Sequence, residues 1–87
     1  MLTLLNTGPA PPEALERGLA AAAASLEASG IDPALAWLNS GYHQPWTDAI
    51  AMRAWYRAED AAVRAAYGSW RLAPLGVALE WHPEAAR

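Results

Sequence analysis

The feature that most constrains this chain is a stretch of twenty-one residues, 47–67, that contains neither Gly nor Pro. Drawn as a helix, it has one face whose residues recur at intervals of three, four or seven, the period of an α-helix. The residues of this face are Ala49, Met52, Tyr56, Val63 and Ala66, and Glu59 lies among them. Alanines and Trp55 cover most of the remaining surface. A helix that is apolar nearly all round is normally buried, so this segment requires cover on several sides.

A chain of 87 residues has little material with which to provide that cover. It forms one small domain, which removes only about 60–65% of the surface that the unfolded chain exposes. The sequence contains no Cys, so neither a disulfide nor a thiolate metal site adds stability. Packing, or a partner, must supply the stability instead.

The aromatic residues are five Trp and three Tyr, with no Phe. Every one of these side chains carries an N–H or O–H group that prefers a partner when it is buried, which suits an interface better than a dry core. Trp is also among the residues in which binding energy concentrates. The predicted interface residues are Trp37, Trp46, Trp55, Trp70, Trp81, Tyr56 and Tyr67. The alternative is that the aromatic side chains fill the core of the chain itself.

Charge argues against bulk attraction to nucleic acid, because six Arg stand against nine acidic residues and the formal net charge is −3. An alternative function nevertheless rests on a ridge of Arg53, Arg57 and Arg64, which shares an arc with Trp46 as in single-strand binders. Asp60 lies within the ridge, in reach of Arg57 and Arg64. This spacing favours a solvated, salt-bridged edge, and we predict that nucleic acid is not the partner.

Two helices are predicted before the long one. The first begins at Pro12, after a stiff lead-in over residues 1–11, and ends at Gly30. Its small residues 20–24 would let another backbone approach closely, most naturally the alanine side of the long helix. A second, short helix begins at Pro33, with Asp32 as its N-cap acceptor, and extends to about Asn39.

The long helix begins at Gln44–Pro45 or at Thr47, with Asp48 in its first turn, and ends at Gly68. Beyond it, residues 69–87 form an irregular or strand-like tail, in which residues 76–81 alternate as a half-buried strand does. Residues 2–5 are the other strand-like segment. The two could pair, or each could add to a neighbour's sheet. The predicted fold is therefore a mainly α single domain, 1–87, of two longer helices and one short helix, with a short strand near the C-terminus.

Glu59 is the residue most typical of a reactive site, because a carboxylate among apolar side chains is desolvated and binds its proton more tightly. It could act as a general acid or as a ligand. The structural alternative is that Glu59 pairs with an Arg of another element or accepts a hydrogen bond from a Trp or Tyr. We favour the structural alternative, because no second catalytic group matches Glu59 in the sequence.

A mixed nitrogen and oxygen metal site is the other chemical hypothesis. Its candidate ligands are His43, His82, Asp48, Glu80 and Glu84. No spacing typical of a zinc site supports it, and the Ser and Gly residues match neither a nucleophile motif nor a phosphate loop. The sequence therefore predicts no catalytic residue, no metal and no cofactor.

These patterns predict a non-enzymatic structural or adaptor subunit that docks into a multi-chain assembly, with a protein partner or a second copy, through Trp-rich surfaces. A component of a viral particle, or of a secretion-like machine, would have this character. The alternatives are a nucleic-acid-binding module that uses the Arg ridge and a small enzyme or metal-binding protein that uses Glu59, His43 and His82. The sequence predicts no signal peptide and no membrane span, and hence a location in the cytoplasm or within a larger particle.

Overall fold

The computed structural model describes residues 1–5, 8, 10–41 and 47–83. Within them, three helices and a two-stranded sheet form a mainly α fold, as predicted. In chain order the elements are β1 (Leu2–Leu5), α1 (Pro12–Ser29), α2 (Pro33–Leu38), α3 (Ala49–Tyr67) and β2 (Ala78–Trp81). None of the described helices has both the length and the apolar character that are needed to cross a bilayer.

Proline and glycine set the ends of α1, as the sequence predicts. Pro12 is its first residue, where the missing N–H costs nothing. Gly30 follows its last turn with a φ of 72°, in the left-handed region, and donates its N–H to the carbonyl of Glu27 at 3.1 Å. At the start of α2, the carboxylate of Asp32 accepts the N–H of Ala34 at 2.8 Å.

Asp48 caps α3 from outside the helix and does not lie within its first turn, which corrects the predicted start. Its carboxylate accepts the N–H groups of Ile50 at 2.8 Å and of Ala51 at 3.2 Å. The alternative start at Gln44–Pro45 lies outside the described residues. At the other end, Gly68 closes the helix with a φ of 88°, and its N–H donates to the carbonyl of Arg64 at 2.9 Å.

Helices α1 and α3 form the most extensive contact of the fold, and small side chains make it close. The buried residues of α1 recur every four positions: Ala14, Gly18, Ala22 and Leu26. A Cβ atom at Gly18 would lie 2.9 Å from the carbonyl oxygen of Ala62 and 3.0 Å from the Cβ of Ala66. The backbones therefore approach as predicted, although through this spaced set and not through the whole run 20–24.

The buried face of α3 is its alanine side, the side predicted to pack against the small residues of α1. The buried residues are Ala51, Ala54, Trp55, Ala58, Ala62 and Val63. Of the face that carries Met52 and Tyr56, Val63 is buried, whereas Tyr56 is 39% exposed. Small side chains bring α1 closer to α3 than a face of Met and Tyr would, which leaves the bulkier face outside.

The two strands pair antiparallel, with Leu2 opposite Trp81 and Leu4 opposite Leu79. This outcome confirms the first of the two alternatives for the strand-like segments. Leu4 faces the helices, since its Cδ1 lies 3.3 Å from where a Cβ of Gly18 would stand. Leu79 is completely buried and belongs to the core cluster with Leu26 and Trp55. The sheet is therefore covered by helices on one face, as a two-stranded ribbon requires.

Candidate interaction surfaces

Glu59 connects α3 to the sheet. Its Oε2 accepts the backbone N–H of Leu79 at 3.0 Å, and the side chain is half-buried. Desolvation by burial raises the pKa of Glu59, and the hydrogen bond from Leu79 partly offsets the rise. A structural role was the favoured interpretation, but the donor is a backbone amide and not the Arg, Trp or Tyr side chain that we expected.

Asp60, the next residue along α3, organises the exposed side of the helix. It accepts the indole N–H of Trp70 at 2.8 Å and binds Nε of Arg64 at 2.9 Å. The hydrogen bond from Trp70 is the largest single cause that lowers the pKa of Asp60, and the hydrogen bond and charge of Arg64 lower it further. Among the described residues, Asp60 forms no ion pair with Arg57, although that contact was within the predicted reach. Asp60 therefore offsets the charge of Arg64 within the Arg ridge. Trp46, the aromatic residue predicted to share this arc, lies outside the described residues.

The segment that follows α3, residues 69–76, displays large apolar side chains on a turn. Leu75 is 98% exposed, Leu72 is 72% exposed, and Trp70 is 41% exposed. Backbone hydrogen bonds hold the segment, from Leu72 N–H to Ser69 and from Ala73 N–H to Trp70, at 3.1 and 3.3 Å. We call these three side chains the apolar turn.

The other predicted interface aromatics separate into core and surface. Trp55 is completely buried, so it cannot contact a partner of the folded chain and its assignment to an interface was wrong. Its ring packs on Trp37, with centroids 5.1 Å apart and planes tilted by 54°. These two residues follow the alternative prediction, in which aromatic side chains fill the core.

Two tyrosines belong to α3, Tyr56 within the helix and Tyr67 as its last residue. The hydroxyl of Tyr56 donates to the carbonyl of Ser40, which ties α3 to the end of α2. Asn39 reinforces this junction by accepting the N–H of Asp48 at 2.8 Å. Tyr67 is partly buried, and desolvation raises the pKa of its hydroxyl.

An apolar groove of about 430 Å³ opens between the sheet and the ends of α1 and α2. Trp81 lines it, beside its cross-strand neighbour Leu2. The other apolar side chains of the wall are Ala23, Leu26, Ile31 and Pro33. Glu27 and Asp32 are exposed residues that also line the groove, so its rim is acidic.

The described part of the chain does not support the metal hypothesis. It holds no group of three or more His or acidic residues placed to bind a metal ion. His82 instead contacts the carboxylate of Glu80 at 3.1 Å. Asp48 serves as the cap of α3. His43 and Glu84, the other two candidates, lie outside the described residues.

No protein family, curated protein or solved structure matches this chain. The surfaces above therefore have to be interpreted from their own chemistry. Sequence reasoning missed Leu72 and Leu75, although a signal was present. Both lie between the turn-forming residues Gly68, Pro74 and Gly76, where a large apolar side chain has no helix or strand to carry it inward.

Proposed function

We propose that this protein is a non-enzymatic structural or adaptor subunit that docks into a multi-chain assembly through the apolar turn. The observation that carries the proposal is the exposure of Leu75 and Leu72, at 98% and 72%. Trp70 lies beside them in sequence, and its indole is held by Asp60. The partner is another protein chain, and a viral particle or a secretion-like machine is the kind of assembly that we expect.

Single exposed apolar residues are ordinary, because most of a protein's accessible surface is apolar. Three large ones within six residues are a concentration of the kind that marks an interaction surface. The backbone hydrogen bonds that hold the turn also favour an interaction surface. A hydrogen-bonded turn loses less conformational freedom on binding than an unstructured loop, which favours affinity.

The alternative functions have weaker support. The carboxylate of Glu59 is occupied by the N–H of Leu79, which favours a structural role over acid catalysis. Asp60 neutralises Arg64 in the middle of the Arg ridge, which weakens the electrostatic case for nucleic acid. We therefore retain protein interaction as the proposal.

The test compares two double variants of the full chain in cells of its source. Leu72→Ser with Leu75→Ser removes the apolar turn, whereas Leu35→Ser with Leu38→Ser removes a matched exposed pair on α2. Size-exclusion chromatography of the tagged proteins, with light scattering, measures the mass of each complex. We expect the wild type and the α2 variant in a larger complex and the turn variant near the monomer mass of 9.3 kDa. A wild type that elutes as a monomer would refute the proposal. A turn variant that remains in the larger complex would refute it as well.

A further inference from the structure

The outer edge of β1 is open. In an antiparallel pair, residues alternate between those that exchange backbone hydrogen bonds and those whose backbone groups face outward. His82 donates its N–H to the carbonyl of Met1 at 2.8 Å, so the next pair, Leu2 and Trp81, is of the second kind. The same alternation turns the N–H and C=O groups of Leu2 and Leu4 away from β2. Within the described chain, these groups have no partner.

The opposite edge of the sheet is not equally open. Leu79 lies opposite Leu4, so its N–H faces away from β1, and there it donates to Glu59 at 3.0 Å. A half-buried carboxylate thus blocks pairing at that point of β2. An additional strand therefore finds room at β1 and not at β2.

The apolar groove lies beside the open edge. The side chain of Leu2 lines the groove, while the backbone of the same residue offers its N–H and C=O outward. A third strand would pair about 4.8 Å from β1. Its alternate side chains would point to the helix side of the sheet, where Ala23 and Glu27 of α1 line the groove together with Leu2.

The charge of the rim selects the occupant. Glu27 and Asp32 line the groove, and the whole chain has a net charge of −3. Pairing of two copies through β1 would bring two acidic rims together, and like charges at an interface oppose association. A strand that carries Arg or Lys among apolar residues would complement both the rim and the wall.

We propose that an extended, basic and apolar segment of a partner protein adds to the open edge of β1 as a third strand and inserts its alternate side chains into the groove. Backbone hydrogen bonds to Leu2 and Leu4 supply the register, and the groove supplies the specificity, as in other cases of strand addition. The inference rests on the proposed role in protein interaction, but it uses a surface separate from the apolar turn.

The first experiment uses the full chain and a displayed library of random twelve-residue peptides as the probe. We expect enrichment of peptides in which Arg or Lys alternates with apolar residues. A synthetic copy of an enriched peptide should then slow hydrogen exchange at the amides of Leu2 and Leu4 by about tenfold or more. No enrichment, or binding that leaves both amides unprotected, would overturn the proposal. Protection of these amides by self-association without peptide would assign the edge to a second copy instead.

Two matched pairs of variants separate the contributions of the edge and the rim. Leu2→Pro removes the outward N–H without removing a β1–β2 hydrogen bond, and Leu2→Ala removes only the side chain. The Pro variant should bind the peptide more weakly than the Ala variant. Glu27→Lys should weaken binding by about tenfold, whereas Glu16→Lys, exposed on α1 but outside the groove, should leave it unchanged.

The two rim variants keep the test informative if Leu2→Pro fails to fold. Equal binding by Glu27→Lys and Glu16→Lys would contradict the assigned occupant. The Leu72→Ser and Leu75→Ser double variant should bind the peptide as the wild type does. The two proposals can therefore fail separately.

Discussion

The carboxylate of Glu59 accepts the backbone N–H of Leu79 at 3.0 Å, and this contact joins the middle of α3 to the edge of the sheet. Leu79 is completely buried, so its N–H has no access to water. A buried amide without a partner costs free energy, and Glu59 removes that cost. The same contact closes one edge of the sheet, which leaves β1 as the edge open to a partner.

The first prediction compares two replacements of Glu59. Glu59→Gln retains an oxygen that can accept the N–H of Leu79, whereas Glu59→Ala leaves this amide unpaired. We expect the Ala variant to be less stable than the Gln variant by about 1–3 kcal/mol in urea unfolding. Glu16→Ala, on the exposed side of α1, serves as the control and should change the stability by about 0.5 kcal/mol or less. Equal stability of the two Glu59 variants would show that the hydrogen bond contributes nothing.

The second prediction concerns pH. Because burial raises the pKa of Glu59 in the folded state, the folded chain binds this proton more tightly than the unfolded chain. The free energy of unfolding of the wild type, relative to Glu59→Gln, should therefore fall as pH rises from the unfolded pKa of about 4.3 through the raised folded pKa. Above that window, the difference should be constant. Urea unfolding at a series of pH values measures it, and a difference that rises with pH would contradict the assignment.

The third prediction concerns Asp60 and the attachment of the apolar turn. The hydrogen bond from Trp70 is the largest cause that lowers the pKa of Asp60, followed by the contact with Arg64. Trp70→Phe and Arg64→Gln should therefore each raise the pKa of the Asp60 carboxyl. The carbon chemical shift of that carboxyl, followed by NMR through acid titration, gives both values. An unchanged pKa in Trp70→Phe would mean that Trp70 is not anchored to Asp60 in solution.

The fourth prediction concerns the close approach of α1 and α3. In an exposed helix, Gly→Ala is stabilising by about 1 kcal/mol. Gly18→Ala should instead destabilise the protein, by about 1–3 kcal/mol, because the new Cβ would lie 2.9 Å from the carbonyl oxygen of Ala62. Ala66→Gly, which removes the second close contact, should cost less stability in the Gly18→Ala background than in the wild type. Urea unfolding of the three variants checks this, and a stabilised Gly18→Ala would rule out the packing described here.

Local signals made the helix ends predictable. Pro12, Gly30, Asp32 and Gly68 act through their own backbone or capping chemistry, which does not depend on the rest of the fold. The pairing of the strands was one of two alternatives, because alternation identifies a strand but not its neighbour.

Long-range relationships were harder to predict. Helix α3 is apolar around most of its circumference, so its periodicity alone did not select a buried face, and the small residues of α1 were the signal that indicated the alanine side. Trp55 was assigned to an interface because Trp is enriched there, although it packs on Trp37 in the core. The partner of Glu59 is a backbone N–H, and a residue's type carries no information about such a donor. The exposure of Leu75 depends on the direction of a turn that composition does not specify.

The central claim is that the apolar turn contacts another protein chain. The most direct measurement places a photo-crosslinking amino acid at position 75 of the full chain in cells of its source, with position 16 on the exposed side of α1 as the control. We predict a dominant covalent protein adduct from position 75, its loss when Leu72→Ser is added, and no adduct from position 16. A folded protein that gives no more adduct from position 75 than from position 16 would contradict the claim.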